Sequence, residues 1–312
     1  MGKDLETRVI KLLKQRRWTK KELATTLEIP QTKILAILRI LDKKGVDISK
    51  FGKGKDKEFY LSTSPESSQP QYVVLSGVKS SPQKIKFALT SDWHVGSIQH
   101  NRSGLEDCIQ RAVDEGAKFV LHAGDVHDGY KVYRGQLNNL TVWRAEDQTD
   151  LSADIIDRFP IPVYGIAGNH DYSYTKLAGI RPTKLLASKT DNFKDLGDAR
   201  ADLVIGGIEL RLLHGAGGNA YAISYPAQKY LRNIARGDPS AIPEMLGLGH
   251  YHTNTQFESH DCVVIHPGNF QGPNEFTERR GLLGPMGLYV VELTTQDGTI
   301  LNYKTKFLKA RS

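Results

Sequence analysis

The stretch Ile85-Lys86-Phe87-Ala88-Leu89-Thr90-Ser91-Asp92-Trp93-His94 decides how the chain is read. Ile85, Phe87 and Leu89 alternate with other residues, the period of a β-strand. A carboxylate and an imidazole, Asp92 and His94, follow at once. The same arrangement recurs four times further on. The apolar run 118–121 leads to Gly124-Asp125, and 162–167 leads to Gly168-Asn169-His170-Asp171. Residues 208–213 precede His214-Gly215, and 245–248 precede Gly249-His250-Tyr251-His252. Helical patterns near 104–116 and 145–158 separate the earlier runs, so the chain predicts an α/β fold. Such sheets assemble sites at the C-terminal ends of their strands, where residues distant in sequence converge. Later runs at 263–266, 287–292 and 299–307 predict further strands, with Asp297-Gly298 as a hairpin turn between the last two.

The five segments offer two Asp, one Asn and four His as ligands, with His170 left over. That mixture of oxygen and imidazole donors suits two divalent metals close together. His250 and His252, two residues apart where a strand gives way to a turn, can each reach a different metal. Among the remaining histidines, His122 is expected to be structural and His127 to lie in the loop after Asp125. His266 precedes a turn near the site, and His100 and His260 are expected on the solvated surface. Asp128 divides evenly between a supporting role and a surface or helix-cap role.

The ordered blocks D-x-H, G-D, G-N-H-D, H and G-H-x-H resemble those of the calcineurin-like metallophosphoesterase superfamily, from about residue 84 to the C-terminus. The resemblance implies a β-sandwich flanked by helices. It implies that Asp92, His94 and His252 hold one metal, that Asn169, His214 and His250 hold the second, and that Asp125 bridges them. It makes His170 a general acid or a charge-stabilising cation, with Asp171 as a further catalytic or supporting residue. Mn²⁺ is the expected metal, with Fe and Zn open. Gly249-His250-Tyr251-His252, followed by Val264-Ile265-His266-Pro267-Gly268-Asn269, also resembles the end of the catalytic domain in double-strand-break repair nucleases. The expected activity is therefore metal-dependent phosphodiester hydrolysis, as a DNA nuclease. The alternative is a phosphatase or small-nucleotide phosphodiesterase.

Charge is concentrated at the N-terminus. Residues 1–62 hold 16 Lys and Arg against 8 Asp and Glu, a net of +8, while the whole chain carries +7. Leu5, Val9, Leu12 and Leu13 mark a helix over 4–16. Thr19 and Glu22 mark a capping box before a second helix ending near Glu28. Pro30 opens a third helix, roughly 31–44, with Ile34, Leu35, Leu38 and Leu41 inward and Gly45 as its stop. A hairpin with a basic tip over 51–57 follows. Three short helices and a basic hairpin resemble a winged helix-turn-helix. That resemblance implies DNA contact through Gln31, Thr32, Lys33 and Arg39 on the third helix and Lys53, Lys55 and Lys57 on the wing. In the alternative, this domain binds a protein partner or holds a homodimer together. Residues 63–83, rich in Ser, Pro and Gln, read as a linker to a catalytic domain over 84–312, although 72–75 could pair as an edge strand. Tyr130, Lys131, Tyr133 and Arg134 mix rings and cations after the second block, and Lys131 and Arg134 are expected to meet polynucleotide phosphate.

The chain has 312 residues and two widely spaced cysteines, Cys108 and Cys262. No apolar run approaches the roughly 20 residues needed to cross a bilayer. These features predict a reduced, cytoplasmic protein without membrane contact.

Overall fold

The computed structural model describes residues 2–15, 18–43, 48–51, 58–61, 71–218, 222–279 and 284–311. The chain divides into two units, Met1–Gln69 and Pro70–Ser312. The first contains α1 (Gly2–Gln15), β1 (Trp18–Thr19), α2 (Lys20–Leu27), α3 (Gln31–Lys43), β2 (Ile48–Phe51) and β3 (Glu58–Leu61). β3 lies between β1 and β2 and runs antiparallel to both.

The capping box forms: Thr19 Oγ1 accepts the Glu22 amide at 3.2 Å, and Glu22 Oε2 accepts the Thr19 amide at 2.7 Å. Two amides that the helix start would leave unpaired are thereby satisfied. Val9, Leu13, Leu23, Ile34, Leu38 and Leu41 form the core with Trp18 and Phe59. Leu35 is only partly buried, and Ile37 takes the inner position expected of it. Ile34, Ile37, Leu38 and Leu41 follow the i, i+3, i+4, i+7 stripe, from which Leu35 is turned by about 100°. Gln31, Thr32 and Lys33 are exposed on the first turn of α3. Gly45, the side chain of Arg39, and Lys53, Lys55 and Lys57 of the expected wing lie outside the described residues.

The second unit begins with β4 (Gln71–Ser76), β5 (Gln83–Thr90), α4 (Arg102–Asp114), β6 (Val120–His122), α5 (Ala145–Ile156) and β7 (Val163–Ala167). It continues through α6 (Asn169–Ala178), α7 (Pro182–Lys189), β8 (Phe193–Asp198), β9 (Arg200–Ile205), β10 (Ile208–His214) and α8 (Tyr225–Gly237). It ends with β11 (Met245–Gly249), β12 (Asn254–Ser259), β13 (Cys262–Pro267), α9 (Glu275–Arg279), β14 (Gly287–Gln296) and β15 (Thr299–Lys309). One sheet has the order β15-β14-β5-β6-β7-β8, the other β12-β13-β11-β10-β9-β4. β5 to β8 are mutually parallel, as are β10 and β11.

Strand periodicity explains the layering. Phe87, Leu89, Leu121 and Ile166 face Leu203, Leu210, Leu212 and Ile265 of the other sheet in the central core. Ala88, Val120 and Val163 point the other way, against Leu105 and Ile109 of α4, Ile155 and Ile156 of α5, and Leu186 of α7. On the far face of the second sheet, Leu246, Leu248 and Val264 pack with Ala227 and Leu231 of α8. The result is the expected sandwich flanked by helices, in which the central strands are covered on both faces.

Residues 193–205 carry no strand reading in the sequence because Asp195, Gly197, Asp198 and Ala199 interrupt the run. They fold as β8 and β9, in different sheets, joined through Gly197 (φ 94°) and Ala199 (φ 54°). β4 pairs in parallel with β9 at the sheet edge, so the stretch expected to be a linker contains a strand of this unit. Asp297 (φ 51°) and Gly298 (φ 76°) make the anticipated tight turn between β14 and β15.

Candidate metal centre

Five loops meet beyond the C-terminal ends of β5, β6, β7, β10 and β11, and each brings residues of one sequence block. Their backbones are interlocked: the amides of Asp92 and Trp93 donate to the carbonyls of Gly124 and Asp125, each at 2.9 Å. Asp92 (φ 53°), His94 (φ 52°), Asp125 (φ 59°), His250 (φ 87°) and His252 (φ 51°) all adopt left-handed conformations. Side-chain-bearing residues avoid that region, so a cluster of them is strain held in place by surrounding packing. The glycines of the blocks answer a steric need. A Cβ on Gly168 would lie 2.1 Å from Asp125 Oδ1, and one on Gly249 would lie 2.3 Å from the Ala123 carbonyl oxygen.

Asp92, His94 and His252 form one cluster, with one donor atom from each lying within 4.8 Å of the others. His94 Nδ1 donates to Asp128 Oδ1 at 2.8 Å, which aims Nε2 at His252 Nε2, 3.1 Å away. Asp92 Oδ1 is 3.4 Å from His252 Nε2 and 3.8 Å from His94 Nε2. It is buried without a hydrogen-bond partner, while Asp92 Oδ2 accepts the His250 amide at 2.9 Å and the Ser91 hydroxyl. An orphaned carboxylate oxygen facing two imidazole nitrogens is a donor set suited to a cation.

Asp125, His214 and His250 form the second cluster, joined by Asn169. His214 Nδ1 donates to the Ala123 carbonyl at 2.8 Å, leaving Nε2 3.0 Å from Asn169 Oδ1 and 3.2 Å from Asp125 Oδ2. His250 Nε2 donates to the Gly217 carbonyl at 2.7 Å, leaving Nδ1 for a ligand. Asp125 Oδ2 also lies 4.0 Å from His94 Nε2, between the clusters. Asp125 Oδ1 accepts the His170 amide at 2.8 Å. Asp125 Oδ2 is thus the oxygen that faces imidazoles of both clusters.

The electrostatics agree with a site built for positive charge. Burial opposes charging His94, but hydrogen bonds to Asp128 and Asp92 outweigh it and hold the imidazole at about 10. Burial likewise opposes charge on His214, and Asp125 holds it at about 9. Burial would raise Asp92 and Asp125. The neighbouring imidazoles, led by His252 for Asp92 and by His214 for Asp125, instead hold both below the ordinary carboxylate range.

His170 sits edge-on to His94, ring centres 4.4 Å apart. Its Nδ1 donates to the Asp128 carbonyl at 2.6 Å, so Nε2 remains for the adjoining cavity. Burial lowers its proton affinity, against the pull of Asp125. Asp128 is no surface or capping residue. It is fully buried, and Gln271 Nε2 (3.1 Å) and Gln136 Nε2 (3.2 Å) donate to its carboxylate beside His94. Asp171, expected as a further catalytic or supporting residue, is placed for support. Its oxygens accept the amides of Val126, His127 and Gly168 at 3.3, 3.0 and 2.8 Å, and His127 Nδ1 at 2.7 Å. Asp171 therefore ties the second and third loops together.

A cavity of about 570 Å³ opens over both clusters, lined also by Tyr133, His170, Gln271 and Asn274. Gln136, Gln271 and Asn274 escaped the sequence reading, because an isolated amide side chain has no spacing signal. Only the Pro267-Gly268-Asn269-Phe270 turn pointed towards them. Lys131 and Arg134 are exposed on the loop whose Val132 and Tyr133 line the cavity, and Lys131 Nζ lies 5.1 Å from the centre of the Tyr130 ring. His122 is structural as expected, packed edge-on against Trp93 at 4.4 Å. His127 is fully buried and held by Asp171, and His266 is buried beside Tyr251. His100, expected in solvent, is partly buried, and its Nδ1 donates to the Trp93 carbonyl at 2.7 Å.

This geometry can be set beside known proteins. The DNA polymerase II small subunit of Halobacterium salinarum is 26% identical over 174 residues, covering 53% of this chain and 33% of that protein. The DNA polymerase II small subunit of Pyrococcus furiosus is 30% identical over 102 residues, covering 28% of this chain and 17% of that protein. The chain thus spans about a third or less of the length of the curated relatives it matches. Among solved structures, an archaeal phosphodiesterase shares 16% identity at a TM-score of 0.41, over 72% of this chain and 100% of that one. A putative 5'-nucleotidase from Staphylococcus aureus shares 12% identity at a TM-score of 0.40, over 74% and 55%. No helix among the described residues is long and apolar enough to cross a membrane. The calcineurin-like phosphoesterase model matches residues 85–264, a span that contains every residue of the two clusters and His170, and the chain belongs to that family.

Proposed function

We propose that this chain is a dinuclear metal-dependent phosphodiesterase that hydrolyses DNA. The observation that carries the reading is the pair of donor clusters meeting at Asp125 Oδ2, with His170 beside them under one cavity. Asp92, His94 and His252 would hold one divalent ion, Asn169, His214 and His250 the other, and Asp125 both. Mn²⁺ is favoured by the absence of thiolate donors and the mixture of carboxylate, amide and imidazole. Two such ions acidify a water and neutralise phosphate charge.

The protein's own side chains supply the remainder. Asp128 holds His94 and, through its carbonyl, His170. An anionic phosphodiester entering the cavity raises the proton affinity of the His170 imidazole, because opposite charge favours the protonated form. His170 then passes that proton to the leaving oxygen as the phosphorus–oxygen ester bond breaks and a water oxygen, having released a proton to solvent, bonds to phosphorus.

DNA as substrate is supported by the polymerase small subunits among the relatives and by the +8 charge of residues 1–62. The order helix, strand, helix, helix, strand, strand in the first unit supports a winged helix-turn-helix. Its α3 would enter a groove through the exposed Gln31, Thr32 and Lys33.

The test is Mn²⁺-dependent hydrolysis of end-labelled single- and double-stranded DNA, with Asp125→Ala and His170→Asn beside the native chain. Cleavage abolished by the first and reduced about 10²–10⁴-fold by the second is expected, with Mn²⁺ affinity unchanged in His170→Asn. Turnover of a small phosphoester without DNA cleavage would return the protein to the phosphatase or small-nucleotide phosphodiesterase class.

A further inference from the structure

A second cleft, of about 480 Å³, adjoins the metal cavity and shares Gly217, Gly218 and Tyr251 with it. Its floor lies against the His214 loop, where Tyr251 packs on Gly215 and its hydroxyl donates to the Ala216 carbonyl at 3.2 Å. Its outer wall is α8. Tyr225, Lys229 and Asn233 stand at i, i+4 and i+8 along one side of that helix and line the cleft. The opposite side of α8 buries Ala227 and Leu231 on the sheet.

The helix is unlike the rest of the unit in charge. Residues outside 1–62 are nearly balanced, yet α8 carries Lys229, Arg232 and Arg236 and no acidic residue. All three cations are exposed, and among the described residues none forms an ion pair. Tyr225, Lys229, Arg232 and Arg236 fall within a narrow stripe of the helical wheel. From Tyr225 to Arg236 the stripe runs about 16 Å, at about 1.5 Å per residue. Tyr225 lines the cleft and is 47% exposed, so part of its side chain is open to a ligand.

We infer that this cleft and stripe form a strand-binding subsite, which takes the nucleotides next to the scissile phosphate. Tyr225 stacks on a base, and Lys229 and Arg232 meet the phosphates that follow. An aromatic face followed by unpaired cations is the combination that single-stranded nucleic acid requires: every base has a face to stack, and every phosphate carries charge. Continuity with the metal cavity through Gly217 and Gly218 selects a polynucleotide over an isolated phosphate monoester, which would leave the cleft and stripe unused. The inference rests on the phosphodiesterase reading and narrows its substrate to a strand of several nucleotides.

The experiment is fluorescence anisotropy of a labelled tetranucleotide on the full-length chain without added metal, over a salt series. Lys229→Ala/Arg232→Ala and Tyr225→Ala are compared with Lys194→Ala, an exposed lysine on β8 of the other sheet. The double variant should weaken binding about tenfold and reduce the slope of log affinity against log salt by about 1.4, at about 0.7 per phosphate contact. Tyr225→Ala should weaken binding by at least fivefold while retaining the native salt slope, since stacking releases no counterions. Lys194→Ala should match the native chain. Native affinity and slope in both cleft variants, or an equal loss in Lys194→Ala, overturns the inference. Mn²⁺-dependent hydrolysis of bis(p-nitrophenyl) phosphate by the native chain is measured in parallel. Its absence removes the phosphodiesterase reading and the inference with it. Its presence, with unaltered tetranucleotide binding in the variants, removes the inference alone.

Discussion

Replacing Asp128 by Asn asks whether the centre depends on a residue that holds no ligand position. The side chains are nearly isosteric, so packing around this fully buried site is preserved. Asp128 Oδ1 receives His94 Nδ1–H at 2.8 Å and Gln271 Nε2–H at 3.1 Å, and Oδ2 receives Gln136 Nε2–H at 3.2 Å. Asn has one accepting oxygen. If that oxygen serves His94 and Gln271, the new amide NH₂ faces the donor of Gln136. If the group is flipped, the NH₂ faces His94, and the ring loses the bond that aims Nε2 at the cluster. Either way His94 loses the negative charge that makes it a strong donor. Removing such a partner of a ligating imidazole costs about 10–100-fold in metal affinity, or about 1.4–2.8 kcal/mol at about 1.4 kcal/mol per decade. Calorimetric titration of the metal-free protein with Mn²⁺ measures this directly, with circular dichroism to confirm folding. A folded Asp128→Asn protein whose Mn²⁺ affinity stays within twofold of native would refute the claim that Asp128 tunes the centre through His94.

Three other substitutions separate support, sterics and protonation. Asp171→Asn turns an oxygen that accepts backbone amides into a donor facing donors, so urea unfolding should show a loss of about 3 kcal/mol or more. A native unfolding midpoint would contradict the anchoring role of Asp171. Gly168→Ala places a methyl 2.1 Å from Asp125 Oδ1, and the displacement of Asp125 should lower phosphodiester turnover about 100-fold; native turnover would mean that the loop has room the structure does not show. Burial holds His122 down at about 4, against about 6.5 in an unfolded chain. The unfolded state therefore binds the extra proton between these values, and this contribution is full above pH 6.5 and lost as pH falls towards 4. It amounts to about 3 kcal/mol. His122→Gln should flatten the acid limb of stability against pH by about one proton, and an unchanged slope would contradict neutral burial of His122.

The order of strand then candidate ligand at Asp92, Asp125, Asn169, His214 and His250 was legible because two local signals coincide at each. A short apolar run marks a buried strand, and a polar metal donor immediately after it has no packing reason to be there. The capping box at Thr19 and the turn at Asp297-Gly298 were legible for the same kind of reason, since their hydrogen bonds and dihedrals are made by adjacent residues. β8 and β9 were not. Their sequence is broken by Gly197 and Ala199, and only the need to carry the chain from one sheet to the other explains it as strand.

The division of roles around His170 also lay beyond the sequence. Asp128 and Asp171 are each a carboxylate within three residues of a ligand, and nothing in their spacing distinguishes them. The fold does so by direction. Asp128 turns towards His94, while Asp171 turns into the amides of Val126, His127 and Gly168. The same holds for α8, whose three cations are diluted in a unit of near-zero net charge until folding lines them along one helix beside the metal cavity. Local chemistry, written in neighbouring residues, determined most of the elements, the candidate donors and the family. Direction and proximity, which depend on contacts between distant segments such as His94 and His252, 158 residues apart, were decided only when the two sheets packed and brought five loops to one edge.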